Sequence, residues 1–424
     1  MAETPTRSRR ALAAGSVGNF IEWYEFGVYG YFATVIAARF FTPEGGSEIE
    51  GLVRTYASFA LAFFFRPVGA ALFGRLGDRI GRRPVLILVI VLMTAATTLI
   101  GVLPTYDTAG ALAPWLLTFL RVVQGLSAGG EFGGAVSVMT EFAPPGRRGL
   151  YGAWQSFTVA LGLLGGAGVA ALLATVLSEG QVSAWGWRLP FLLALPMGLG
   201  ALWLRLRLDE TPAFRAEGRG AVVRPPGREV GRAIALGAGR IMGWAAAGYT
   251  FLVVLPSYLQ STLDASFQQA LIATVLANLG FAAAILPAGA LSDRVGRRAV
   301  MLTGALLVAV LAVPLLNLLQ DPHASRVTQG LAVCAAGAVV GLMAGPGPAL
   351  LAEMFPTTVR HTGLGLAYAL SNAVFSGCAG LVITETVERT GNVDVPAYYA
   401  AAACAVSALA LAATPARAPA TEAR

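Results

Sequence analysis

Runs of roughly 20 apolar residues recur along the chain, separated by short polar connections that are rich in arginine. At 1.5 Å rise per residue, each run is long enough to cross a bilayer as a helix. The pattern predicts twelve spans, at about 15–38, 52–74, 84–103, 112–140, 151–177, 188–206, 233–259, 268–291, 299–319, 328–353, 361–387 and 396–414. One connection is long. Residues 207–232 are rich in Arg, Pro and Gly and predict a linker between an N-terminal bundle, 1–206, and a C-terminal bundle, 233–424. The fold class expected is an all-α polytopic membrane protein, with twelve transmembrane helices in two pseudo-symmetric six-helix bundles.

Two echoes support that duplication. Residues 74–83 and 289–298 share the order Asp-Arg-x-Gly-Arg-Arg, and Asp78 and Asp293 stand half a chain apart. Glu141-Phe142-Ala143-Pro144 likewise returns, at nearly the same offset, as Glu353-Met354-Phe355-Pro356. Parallel six-helix repeats are one way to build a transporter. Each Asp-Arg repeat reads as a short loop in which an Asp near a helix N-terminus favours its dipole and pairs with Arg. Asp78, Arg79, Arg82, Asp293, Arg294 and Arg297 are therefore candidates for a latch that closes one side and releases in the other state. The bland alternative is a basic turn that only sets topology.

Composition agrees with the membrane reading. The chain is 56% hydrophobic and 12% charged, against about 25% charged in soluble domains. The net charge is +7 and every basic residue is Arg. Five arginines fall in one set of alternate loops (Arg39, Arg54, Arg188, Arg326, Arg389) and three in spans (Arg66, Arg121, Arg240). The rest lie in the tails, the linker and the opposite loops, which predicts both termini inside. Arginines confined to loops between spans do not make a nucleic-acid surface. Cys334, Cys378 and Cys404 sit in apolar runs without ligand spacing, so no metal is expected. The absence of Lys excludes a Walker A lysine, so transport would run on an ion gradient with no cofactor. The basic N-terminus precedes a retained first helix, not a cleaved signal.

Ionisable groups at membrane depth are functional candidates by default. In the first span Asn19, Glu22, Glu25, Phe26 and Tyr29 share one helical face. Glu22 lies roughly 10 Å, and Glu25 roughly 15 Å, from the inner end. The fourth span carries Arg121, Gln124 and Glu131, with Arg121 and Glu131 roughly 15 Å apart. Matching depths predicts a middle layer of Glu25 with Arg121 and an inner layer of Glu22, Glu131 and Arg66. With no His placed at depth, a proton carrier must be a carboxylate, and Glu22, Glu25 and Glu131 are the candidates. Static ion pairs between helices are the competing reading, and for Arg66 so is snorkelling. Asn19, Tyr29, Arg121, Gln124, Trp154, Tyr249 and Asn372 are candidate solute contacts, the aromatics offering cation–π enclosure. Packing is the simpler reading of any single aromatic.

Gly18–Gly30, residues 74–83, Arg121–Gly134, Trp185–Phe191, Asp209–Phe214, Ser292–Arg298 and Glu353–Pro356 together resemble the metabolite:proton symporter family of the major facilitator superfamily, including its proline/glycine-betaine and organic-acid members. The resemblance implies a bacterial inner-membrane protein with a small solute and protons as its partners. It implies alternating access within the bilayer and no obligate protein partner or enzymatic activity. It places Glu22, Glu25, Arg66, Arg121 and Glu131 at family motif positions; position 25 is Glu where the family usually has Asp. A proton-coupled exporter of the same fold is the alternative, and the Gly162–Gly168 run lacks the proline such antiporters carry. A channel or sensor, the third class, would not need two mobile halves.

Overall fold

The computed structural model describes residues 5–43, 45–80, 82–141, 143–206, 226–356 and 359–413, with side chains undescribed over 5–15, most of 74–83, and at 137, 138, 141 and 361. Every regular element among the described residues is helical. Twelve long helical units follow in order among the described residues, with one short helix, Tyr106–Ala109, between the third and fourth. We label them α1 (Pro5–Tyr31, continued by Ala33–Ile36 and a π-helical turn at Ala37–Phe41), α2 (Glu48–Ile80), α3 (Arg82–Val102), α4 (Leu112–Ala128, then Glu131–Glu141), α5 (Arg148–Val176), α6 (Glu179–Leu206), α7 (Gly227–Leu263), α8 (Phe267–Val295), α9 (Arg297–Gln320), α10 (Arg326–Met354), α11 (Thr362–Thr390) and α12 (Val395–Ala412).

Ten of the described helices are individually long and apolar enough to cross a membrane. The two that fall short are α1 and α4. The first carries Asn19, Glu22 and Glu25 within its apolar run, and the second is broken at Gly129–Gly130.

Hydrophobic pattern marks membrane contact, and helices outrun it. The Asp-Arg repeat is not a loop but two helix ends. The backbone is helical through Ile80 and resumes at Arg82, and again through Val295 and from Arg297. The second junction is Gly296 alone, at φ +94°, a conformation for which glycine is the natural residue. Helix α1 starts at Pro5 and α6 at Glu179, both earlier than their apolar runs. Helix α7 starts at Gly227, inside the expected linker, and 207–225 lie outside the described residues.

Small residues set the helix pairs that shape each half. On α4, a Cβ at Gly125 or Gly129 would occupy the position of the Ala62 or Arg66 carbonyl of α2. On α10 and α8, Gly337 and Gly280 meet the carbonyls of Ala277 and Cys334 in the same manner. The duplication seen in loops thus extends to backbone-on-backbone seams.

Contacts between the halves close both ends. At the end away from the termini, Tyr56 Oη and Ser257 Oγ hydrogen-bond at 2.6 Å, and Thr34 donates to Gln260 at 3.0 Å. Gln268 donates to Thr175 at 3.2 Å. Toward the termini, Ser156 Oγ donates to the Ala344 carbonyl at 2.8 Å, and the rings of Phe132 and Tyr368 stack at 3.4 Å.

Candidate functional site

The polar residues of α1 and α4 lie inside the first half, where aromatic rings from both halves meet. Three acid–base units occur at three levels.

Glu22 faces Arg66 of α2 at 3.3 Å, the pairing that depth matching predicts. Arg66 does not snorkel. Its guanidinium is 3% exposed and lies 4.2 Å from the Phe26 ring centre and 4.3 Å from that of Phe63. Trp23 stands farther off, at 5.4 Å.

Glu25 and Arg121 are both fully buried but are not directly paired, a correction to the expected middle layer. Thr97 of α3 donates to Glu25 Oε2 at 2.6 Å and accepts from Gln124 Nε2 at 2.6 Å. Gln124 Oε1 accepts from Arg121 NH1 at 2.7 Å. Thr97 and Gln124 therefore relay between the two charges. Axial depth gives no rotational angle, so a spacer from a third helix was invisible to it. Three rings surround the Arg121 guanidinium, those of Tyr29 at 4.1 Å, Phe59 at 4.8 Å and Phe26 at 4.9 Å. Among the described atoms, Arg121 Nε and NH2 and Glu25 Oε1 have no hydrogen-bond partner. Leaving charged groups unpaired in a dry interior costs several kcal/mol.

Glu131 does not join Glu22 and Arg66 in one layer by contact. It pairs with Arg205 near the end of α6, a residue that sequence reasoning missed. The break before Glu131 starts a new helical segment there and turns it toward α6. Arg205 was readable only as one of several basic residues at the inner edge of a span.

The remaining candidates separate. Tyr249 of α7 sits among Trp23, Phe59 and Phe63 at ring distances of 6.2, 6.0 and 5.3 Å, and its hydroxyl has no described partner. Tyr29 Oη lies 2.6 Å from Ser58 Oγ. Asn19 ties α1 to α5, donating to Thr158 Oγ1 at 2.6 Å and to the Gln155 carbonyl at 3.1 Å, so it acts as a helix tie. Asn372 donates to the Tyr368 carbonyl of its own helix at 2.9 Å and accepts from Ser376 at 2.8 Å. Trp154 is 43% exposed and donates to Ser16 at 3.1 Å, so it leaves the solute-contact set.

For the latch, the side chains of Asp78, Arg79 and Arg82 lie outside the described residues. In the second copy, Asp293 crosses between halves. It accepts from the backbone N–H of Gly149 at 2.8 Å and of Leu150 at 2.9 Å, at the start of α5. Arg297 holds it at 2.7 Å and also reaches Glu353 at 3.3 Å. Arg294 is exposed and takes no part in these contacts.

Chemically, the site presents a cation with two open donors on one edge, enclosed by rings, and a carboxylate one relay away. The cation is shaped for a carboxylate, and the acid can carry a proton.

Comparison with known proteins adds the family context. Residues 11–221 match the model described as "Sugar (and other) transporter", and residues 241–424 match that of the Major Facilitator Superfamily. A glycine betaine/proline/ectoine/pipecolic acid transporter of Dickeya dadantii is 35% identical over 93% of this chain and 80% of its own length. A proline/betaine transporter of Escherichia coli is 35% identical over 92% and 80%. An alpha-ketoglutarate permease of Escherichia coli is 36% identical over 88% and 86%. A solved proton:xylose symporter superposes with TM-score 0.78 at 18% identity, over 96% of this chain and 95% of that one. That likeness is one of fold.

Proposed function

The chain belongs to the major facilitator superfamily, a multi-pass membrane transporter, and from that premise we propose that it is a proton-coupled symporter importing a small carboxylate-bearing solute. Proline- or betaine-like zwitterions and organic acids are the solute classes. The free Nε and NH2 of Arg121 carry this reading. They form one edge of a guanidinium, and a carboxylate accepts from such an edge through both oxygens. The relatives named for betaine, proline and alpha-ketoglutarate support it, since all those solutes bear carboxylates. For a zwitterion, the ring of Tyr249 supplies a face for a cationic head.

Proton coupling is assigned to Glu25 and Glu22, with Glu131 at the inner edge. Glu25 reaches Arg121 only through Thr97 and Gln124, so a solute carboxylate that recruits Arg121 disturbs the relay to Glu25. The energy source is the proton gradient, without a cofactor. The bias of arginines puts both termini on the cytoplasmic side of a bacterial inner membrane. The two halves alternate access about the Arg121 site, and the Asp293 contact holds the cytoplasmic side shut.

The test is uptake into proteoliposomes of labelled proline, glycine betaine and a dicarboxylate under an inward proton gradient. Accumulation that collapses with a protonophore, with counterflow that survives it, is the expected result. Counterflow of none of the three, or accumulation indifferent to the protonophore, refutes the assignment.

A further inference from the structure

A narrow cleft of about 20 Å³, room for about one water, lies within the first half between α1, α3, α4 and α6. Glu22 and Glu131 both line it, and its other walls are Gly18, Thr94, Gly198, Ala201 and apolar side chains. Side-chain exposure rises along the acids, from 0% at Glu25 through 7% at Glu22 to 12% at Glu131. The charged groups around Glu22 are Arg66 from α2, Glu131 from α4 and Glu25 of its own helix; Arg205 of α6 pairs with Glu131, and α3 brings no charge to this wall, only the Thr94 hydroxyl beside Val89, Ile90 and Met93.

Two wall positions are glycine where a methyl would intrude. At Gly18 a Cβ would stand 2.6 Å from Arg205 NH2 and 2.8 Å from Glu131 Oε1. At Gly198 it would strike the Thr94 side chain. Both border polar side chains at an acid-lined space.

We propose that this cleft is the proton's exit to the water at the termini end, inside one bundle and separate from the solute's path between the halves. The proposal rests on the proton-coupled reading above. In the step itself, the Glu22 carboxylic acid gives its proton to a water in the cleft. Hydronium forms and moves out past Glu131, and the Glu22 carboxylate is left against Arg66. Because both ends of the inter-half contact are closed in this form, such a route lets the proton leave while the solute is still enclosed.

Two variants at Ala201, which is outside the acid–base units, test it. Ala201→Leu narrows the cleft. Expected are counterflow at zero pH gradient within about twofold of the parent and gradient-driven accumulation at least tenfold slower. Ala201→Gly, which widens the cleft, is expected to keep gradient-driven uptake at the parent's rate or above. The proposal is overturned if Ala201→Leu keeps full gradient-driven uptake. It is also overturned if both activities fall together in a properly folded Ala201→Leu, or if Ala201→Gly slows gradient-driven uptake as much as Ala201→Leu does. A parent protein that shows counterflow but no gradient-driven uptake would sink the symport reading instead, and slower solute-free proton permeation through Ala201→Leu than through the parent would still report whether the cleft conducts.

Discussion

Replacing Asp293 with Ala should tip the balance between closed and open forms at the termini end. Its carboxylate accepts two backbone N–H groups at the start of α5 and so joins the halves. Hydrogen bonds to a charged group contribute about 1.5–3 kcal/mol each, and a helix N-terminus adds about 0.3–1 kcal/mol for a nearby anion. The Asp293 side chain is 9% exposed, and the freed N–H groups sit at a helix end that water can reach. We therefore discount the sum to about 3 kcal/mol, and at 1.4 kcal/mol per tenfold the closed population falls roughly a hundredfold relative to the open one. Arg297 keeps Glu353 as a partner, so the change does not strand a cation. Asp293→Asn, which retains one acceptor oxygen, should give an intermediate shift. Spin labels on the α4–α5 and α10–α11 connections, read by pulsed distance measurement, would report the two populations. Unchanged distance distributions in Asp293→Ala, with the protein folded, would show that this contact does not hold the end shut.

Glu131→Gln should lose gradient-driven accumulation and keep counterflow; normal accumulation would remove Glu131 from the coupling path. Arg121→Ala should weaken binding of a carboxylate solute by at least about thirtyfold, as expected for truncating one partner of a buried charge pair at about 2–5 kcal/mol. Arg121→Lys should recover only part of it, because an ammonium lacks the paired donors of one guanidinium edge; equal affinity by calorimetry in the Lys variant would count against edge-on recognition. Gly337→Ala forces a methyl against the Ala277 carbonyl and should lower the melting temperature in detergent by several degrees, while Gly168→Ala, which meets nothing within 4 Å, should not.

Much of this was written in the chain. Apolar run length located the helices, and the Asp-Arg repeat disclosed the duplication. Depth along α1 and α2 brought Glu22 and Arg66 together. Where helices are straight, rise per residue is enough. It fails at Gly129–Gly130, where α4 breaks and Glu131 turns to Arg205. It also fails for Glu25, since depth cannot say that Thr97 of α3 would stand between it and Gln124. Trp154 shows a different limit. Tryptophan is apolar enough for lipid and aromatic enough for a binding cage, so composition does not choose between them, and only its position on α5 does.

The glycine seams carry a mechanical consequence. Where a carbonyl oxygen fills the space of a missing methyl, as between Gly125 and Ala62 or Gly337 and Ala277, the two helices cannot slide without parting along their length. Each pair therefore travels as one rigid strut. Bending is then absorbed where the helical winding is already loosened, in the wide turns at Ala37–Phe41, Val182–Gly186, Thr250–Val254 and Asn372–Gly377. Two of these wide turns, on α1 and α7, occupy corresponding places in the two halves, so the molecule has a matched pair of joints and stiff limbs between them.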